Sequence, residues 1–198
     1  KLSAFCHVRP EAVFSTHDVP NIYHVPLMLE EQGFCDILDI DCDKTGLLAE
    51  WRAMAHRLDE LTEEVNIAMV GKYTDLSDAY LSVIKSLQHA ALAVERKLNI
   101  DWIEASDLED ADNAEAWGLL RNANGVLVPG GFGDRGIEGK VLAAQHAREN
   151  NVPYLGICLG LQVATIEFCR NVLGINDATS TEFDADAANP AVIFMPEI

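Results

Sequence analysis

The chain has 198 residues, 49% hydrophobic and 23% charged, which is ample material for a packed core in a soluble intracellular protein. Its 14 basic and 32 acidic side chains give a formal net charge of −18, which argues against a nonspecific binder of nucleic acid or of an anionic membrane. Five cysteines without framework or zinc-ribbon spacing read as free thiols, so no structural metal is expected; no apolar run approaches the ~18 residues of a membrane span, no signal-peptide pattern opens the chain, and the cytoplasm is the expected location.

In chain order, residues 1 to 32 read as a strand, a loop and a helix beginning near Asp18, a good N-cap, with Ile22, Val25 and Leu29 at helical spacing. Leu47 to Leu61 form a second amphipathic helix, charged on one face as an interdomain connector would be. From Asn66 onward apolar strands alternate with helices. Strands are expected at 67–70, 100–103, 126–128 and 152–155, and helices at 78–97, 114–121, 138–149 and 159–173, with a last strand-like run at 191–195. Tyr80, Val83, Ile84, Leu87, Ala91, Val94 and Leu98 supply the long helix with a core stripe. Such alternation predicts an α/β fold, an open parallel sheet flanked by helices. Neither an internal repeat nor a low-complexity stretch interrupts it.

Two glycine motifs fall at the carboxyl ends of strands, where open sheets bind ligands. Gly156-Ile157-Cys158-Leu159-Gly160 has the form of a nucleophile elbow, a sharp strand-to-helix turn that lifts the Cys158 thiol out of the sheet and aims the next helix N-terminus at it. Pro129-Gly130-Gly131-Phe132-Gly133 follows another apolar strand and can present backbone N–H groups to an oxyanion. The donors expected are the N–H of Gly131 and that of Leu159. A thiol beside two such donors points to acyl transfer from an amide.

These motifs occur in order with Lys1-Leu2-Ser3-Ala4-Phe5-Cys6, Asp18-Val19, Ile22-Tyr23, Val70-Gly71-Lys72-Tyr73, Asp78 to Ile84, Arg135-Gly136-Ile137-Glu138-Gly139 and Ser180-Thr181-Glu182-Phe183. Over nearly its whole length the chain resembles the CTP synthase family. The resemblance implies a flavodoxin-like class I glutamine amidotransferase domain at 66–198, a helical linker at 41–65 and, at 1–40, a fragment of a Rossmann-like synthetase domain. A cysteine elbow alone is shared with GMP, anthranilate and carbamoyl phosphate synthases. Arg135 to Gly139 and the segment ahead of the glutaminase favour CTP synthase over these; a non-catalytic nucleotide-sensing or assembly module, marked by GTP binding without glutaminase activity, and a Cys hydrolase of similar fold, marked by failure to react with glutamine-mimicking diazoketones, are the other readings.

The resemblance further implies that Cys158 attacks the glutamine side-chain amide, that Gly131 and Leu159 hold the oxyanion, and that Leu159, Gly160, Leu161, Gln162 and Glu182 bind glutamine along with Gly131. It places Lys1 at UTP or the inhibitor CTP, His17, Asp18 and Val19 at ATP, and Arg135 in a lid answering to the activator GTP. ATP and Mg2+ would serve the synthetase reaction, with the Mg2+ ligands outside this chain. Homotetramers and filaments are the assemblies it suggests. The family's base, a His oriented by a Glu in a His-x-Glu motif, has no counterpart among the six histidines, so the chain reads as an excised piece expected to turn over neither glutamine nor UTP. His7 replaces the usual Asp or Asn, and His24, His56, His89 and His146 read as solvated or core residues without metal-spaced partners. Cys6, Cys35, Cys42 and Cys169 read as structural or incidental.

Overall fold

The computed structural model describes residues 1–41, 47–72 and 77–195; Cys42 and Tyr73 lie outside the described residues. The chain divides into two compact units, one made of 1–63 with 91–97, the other of 64–90 with the residues from 98 onward.

In the first unit, Leu2–Cys6 is a short helix, α1, where a strand was expected. His7 closes it in the left-handed region at φ 54°, its N–H bonded to Ser3 O, and Ser3 Oγ donates to Val8 O at 2.8 Å. Apolar residues in so short a run fit either conformation, and these local bonds select the turn. The helix expected from Asp18 starts later. Asn21, not Asp18, caps a 3-10 turn at Ile22–His24 by accepting from the Tyr23 N–H, and α2, Val25–Glu31, continues from it. Leu27 and Met28 are its buried positions, whereas Ile22 is 64% exposed. After α3, Phe34–Ile37, comes α4, Leu47–Glu60, as the amphipathic pattern predicts. Trp51 Nε1 donates to Tyr23 O at 2.7 Å and their rings meet edge to face, which ties α4 to the turn. Cys35 is disulfide-bonded, contrary to the expectation of free thiols, whereas Cys6, Cys158 and Cys169 are free.

From Glu64 the alternating pattern holds: β1 (Glu64–Gly71), α5 (Leu81–Ala93), β2 (Lys97–Glu104), α6 (Ala114–Asn122), β3 (Gly125–Val128), α7 (Ile137–Glu149), β4 (Tyr154–Gly156) and α8 (Leu159–Asn171), then β5 (Thr179–Ser180) paired in parallel with β6 (Pro190–Val192). The main sheet has the order β2-β1-β3-β4, with β1 parallel to β3 and β3 to β4. β3 is buried along its whole length, and the core around it is built from Val70, Val126, Val128, Ile103, Leu120, Val141, Leu159, Val163 and Ile166. Each such side chain contributes about 1.5–3 kcal/mol by leaving water. The helix expected to reach Lys97 stops at Ala93, because Glu95 takes φ 57° and turns the chain into β2. Val94 is therefore exposed and Leu98 lies in a strand, so neither belongs to the helical stripe.

Candidate active site

β3 and β4 are neighbours in register, Val128 beside Gly156, so the loops that leave their carboxyl ends emerge side by side. The Ile157 N–H donates to Val128 O at 2.9 Å and carries the ladder one residue past β4. Cys158 then turns the chain sharply, at φ 53° and ψ −105°, with its side chain exposed. A non-glycine residue held there stores about 1–3 kcal/mol, which the packing around it must sustain. Both flanking glycines are steric requirements. A Cβ on Gly156 would stand 2.4 Å from the Gly160 carbonyl, and one on Gly160 would stand 2.1 Å from Val128 O. Tyr154 reinforces the elbow by donating from its hydroxyl to Gly160 O at 2.8 Å, and burial raises its pKa, so the phenol stays a neutral donor.

The first turn of α8 consumes the neighbouring backbone groups. Leu161 and Gln162 N–H donate to Cys158 O, and Gly160 N–H to Ile157 O. The Leu159 N–H has no acceptor among the described residues, as expected at the first position of a helix. Opposite it lies the glycine loop. A Cβ on Gly130 would be 3.3 Å from Cys158 Cβ and 3.9 Å from its Sγ, and one on Gly131 would be 3.9 Å from Leu159 Cδ2. The thiol and the two expected oxyanion donors thus share one corner of the sheet. Lys72, 8% exposed, fixes the loop from the end of β1: its Nζ donates to Phe132 O at 3.0 Å and to Gly133 O at 3.2 Å. In the sequence Lys72 stands out only as part of the Val70 to Tyr73 motif; a lysine directly after an apolar strand end is the available signal.

The Arg135 to Gly139 stretch opens α7. Arg135 pairs with Glu104 at 3.2 Å, and Gly136 enters the helix at φ 71°. Glu138 accepts from Arg170 at 2.8 Å, and Gly139 presses on Ala105, whose O would lie 1.7 Å from an added Cβ. Gln162, on the first turn after the elbow, has its Oε1 buried with no hydrogen-bond partner among the described residues. Glu182 is exposed at the end of β5, a strand that packs on α8, and its N–H donates to Ser180 Oγ at 3.2 Å. Lys1, His17 and Asp18 are exposed and Val19 half-buried, all in the first unit. In that unit His24, His56 and Asp59 bring their ligand atoms within 4.8 Å of one another. These histidines, expected to lack metal-spaced partners, do meet one: the His56 to Asp59 spacing is legible in the sequence, and the approach of His24 is not.

Chemically, an exposed thiol on a strained turn, beside a Leu159 N–H that finds no acceptor among the described residues, suits covalent acyl transfer through a tetrahedral oxyanion. The family model for glutamine amidotransferase class-I matches residues 75–190, and that for the CTP synthase N-terminus matches residues 1–41. The whole chain is 49% identical to a CTP synthase of Dictyostelium discoideum, 50% to CTP synthase 1 of Saccharomyces cerevisiae and 51% to CTP synthase 1 of Homo sapiens. It spans 39%, 38% and 36% of their respective lengths. Among solved structures, the glutaminase domain of Trypanosoma brucei CTPS with bound acivicin matches with a TM-score of 0.59 and 46% identity, over 63% of this chain and 48% of that one.

Proposed function

The chain belongs to the class I glutamine amidotransferase family, and we propose that it carries the glutaminase site of a CTP synthase, which forms CTP from UTP with ATP and ammonia released from glutamine. The observation that carries this reading is the meeting of Cys158 and Leu159 with Gly130 and Gly131 at the ends of two adjacent parallel strands. The Cys158 thiolate attacks the side-chain amide carbon of glutamine, forming a C–S bond and an oxyanion that accepts from the Gly131 and Leu159 N–H groups. One such donor is worth about 100- to 1,000-fold in rate. The amide nitrogen takes up a proton as the intermediate collapses and leaves as ammonia; water then cleaves the thioester, returning the thiol and releasing glutamate.

Gln162 supports a binding role, since its buried unpaired Oε1 is an acceptor waiting for a donor such as the substrate's amino acid end. Leu159 to Leu161 line the same turn, and Glu182 supplies a carboxylate for the substrate ammonium. Arg135 answers to GTP in this reading, exchanging its Glu104 partner as the lid closes. Lys1 contacts UTP or CTP, and His17, Asp18 and Val19 contact ATP. The segments 1–40, 41–65 and 66–198 act as synthetase fragment, linker and glutaminase in a cytoplasmic homotetramer able to stack into filaments. Mg2+ favours an octahedral oxygen shell, and no cluster of three carboxylates gathers among the described residues to hold it.

No histidine is hydrogen-bonded to Cys158 among the described residues, so the 198-residue chain is expected to be acylated or alkylated at Cys158 without turning over. The test belongs to the whole enzyme. Cys158→Ala should abolish CTP formation from glutamine and leave formation from added ammonium, ATP and UTP unchanged. Equal loss with both nitrogen sources, or none with either, would contradict the proposal.

A further inference from the structure

His56 and Asp59 stand one helical turn apart on α4, and His24 ends the 3-10 turn that packs on that helix. His24 Nε2 lies 2.7 Å from Asp59 Oδ2, and the two imidazole centroids are 5.3 Å apart with their planes at 74°. One ligand atom from each of the three side chains falls within 4.8 Å of the other two. The surroundings hold this cluster in place. Asn21 Nδ2 donates to the other carboxylate oxygen, Asp59 Oδ1, at 2.7 Å and to Ala55 O at 3.2 Å, while its own Oδ1 accepts from the Tyr23 N–H at 3.0 Å. A ligating carboxylate whose second oxygen is held by an outer hydrogen bond is the arrangement that orients metal ligands.

We propose that His24, His56 and Asp59 form a binding site for a divalent transition-metal ion, with Zn2+ as the occupant the donor set fits best. Two imidazole nitrogens and one carboxylate oxygen suit Zn2+, and less well the all-oxygen preference of Mg2+ or Ca2+. Zn–N and Zn–O distances of about 2.0–2.2 Å require ligand atoms roughly 3.3 Å apart in a tetrahedron. Reaching that spacing asks His24 and Asp59 to part slightly and the exposed His56 ring to swing inward, a rotamer adjustment on a helix surface. Three protein ligands leave the fourth position to water. The bound ion replaces the His24 to Asp59 contact and cross-links α4 to the Ile22–His24 turn. This inference does not rest on the glutaminase reading.

The test is titration of the full 198-residue chain, freed of metal by chelator, with Co2+ as a spectroscopic probe and with Zn2+ by calorimetry. The expected result is one ion per chain at micromolar affinity, with visible Co2+ bands and no sulfur-to-cobalt charge-transfer band. His56→Ala, an exposed position whose fold is checked by circular dichroism, should weaken binding at least about tenfold. His24→Gln, which keeps a donor to Asp59, should do the same, while Cys158→Ala leaves affinity unchanged. Absence of saturable binding, affinity unaltered in His56→Ala, or a thiolate band with loss of binding only in cysteine variants would each overturn the proposal.

Discussion

Cys158 and Gln162 are both held in states that cost stability. Replacing Cys158 by Gly removes the penalty of φ 53° and should raise the unfolding free energy by about 1 kcal/mol, read in urea, while abolishing covalent labelling of the site. Gln162→Met removes a buried unpaired acceptor at nearly constant volume. It should stabilise the chain by about 1 kcal/mol and slow labelling by a glutamine mimic; stability lost together with unchanged labelling would show that Oε1 plays no part in binding. Lys140 gives a pH test. It is 2% exposed, and burial first, then repulsion from Lys72, lowers its pKa from 10.5 to about 8. Below pH 8 the ammonium is charged both folded and unfolded, and the fold bears the cost of burying it. Between about pH 8 and 10.5 the unfolded chain binds the extra proton, so this group makes stability rise with pH. Lys140→Met should raise the urea midpoint at pH 7 and flatten that rise. The elbow was legible in the sequence because Gly-x-Cys-x-Gly is a steric statement about backbone. The role of Lys72 was not, since nothing local says which carbonyls a long flexible side chain will reach.

At the scale of elements, α7 and α8 are joined by Arg148 and Glu167. The guanidinium donates from Nε to both carboxylate oxygens at 3.0 Å and from Nη2 to Oε1 at 2.7 Å, with the Glu167 side chain 3% exposed and Arg148 34% exposed. Arg148→Ala leaves a buried carboxylate with Asn171 as its remaining hydrogen-bond partner among the described residues. It should lower the urea midpoint, by less than the loss of one partner from a fully buried pair would, because Arg148 reaches water. An unchanged midpoint would refute the linkage. The existence and type of β1, β3, α6, α7 and α8 followed from short apolar runs alternating with helical stretches. The failures share a cause: α1, the start of α2 and the end of α5 are decided by single local features. His7 closes a turn, Asn21 supplies the cap, and Glu95 takes a left-handed conformation, none of which a period of apolar residues encodes.

For the whole molecule, a net charge of −18 concentrates like charge on a short chain. Self-repulsion destabilises a compact acidic protein and salt screens it, the Debye length falling from about 30 Å at 0.01 M to about 8 Å at 0.15 M. The thermal midpoint should therefore rise over that range; a fall would mean that local ion pairs such as Arg170 with Glu138 outweigh the net repulsion. At this scale the sequence conveyed the alternation that builds the sheet and the two strand-end glycine loops. It did not convey the convergence of His24 with His56 and Asp59, which depends on a turn meeting a helix more than thirty residues away in the chain.

The most direct measurement is the intact mass of the 198-residue chain after exposure to a glutamine-mimicking diazoketone, with peptide mapping of the adduct. The account predicts one adduct per chain, located on Cys158, suppressed by excess glutamine and absent in Cys158→Ala. An unreactive Cys158, or equal labelling of Cys6 and Cys169 that glutamine does not slow, would contradict the assignment of this elbow as a glutaminase nucleophile.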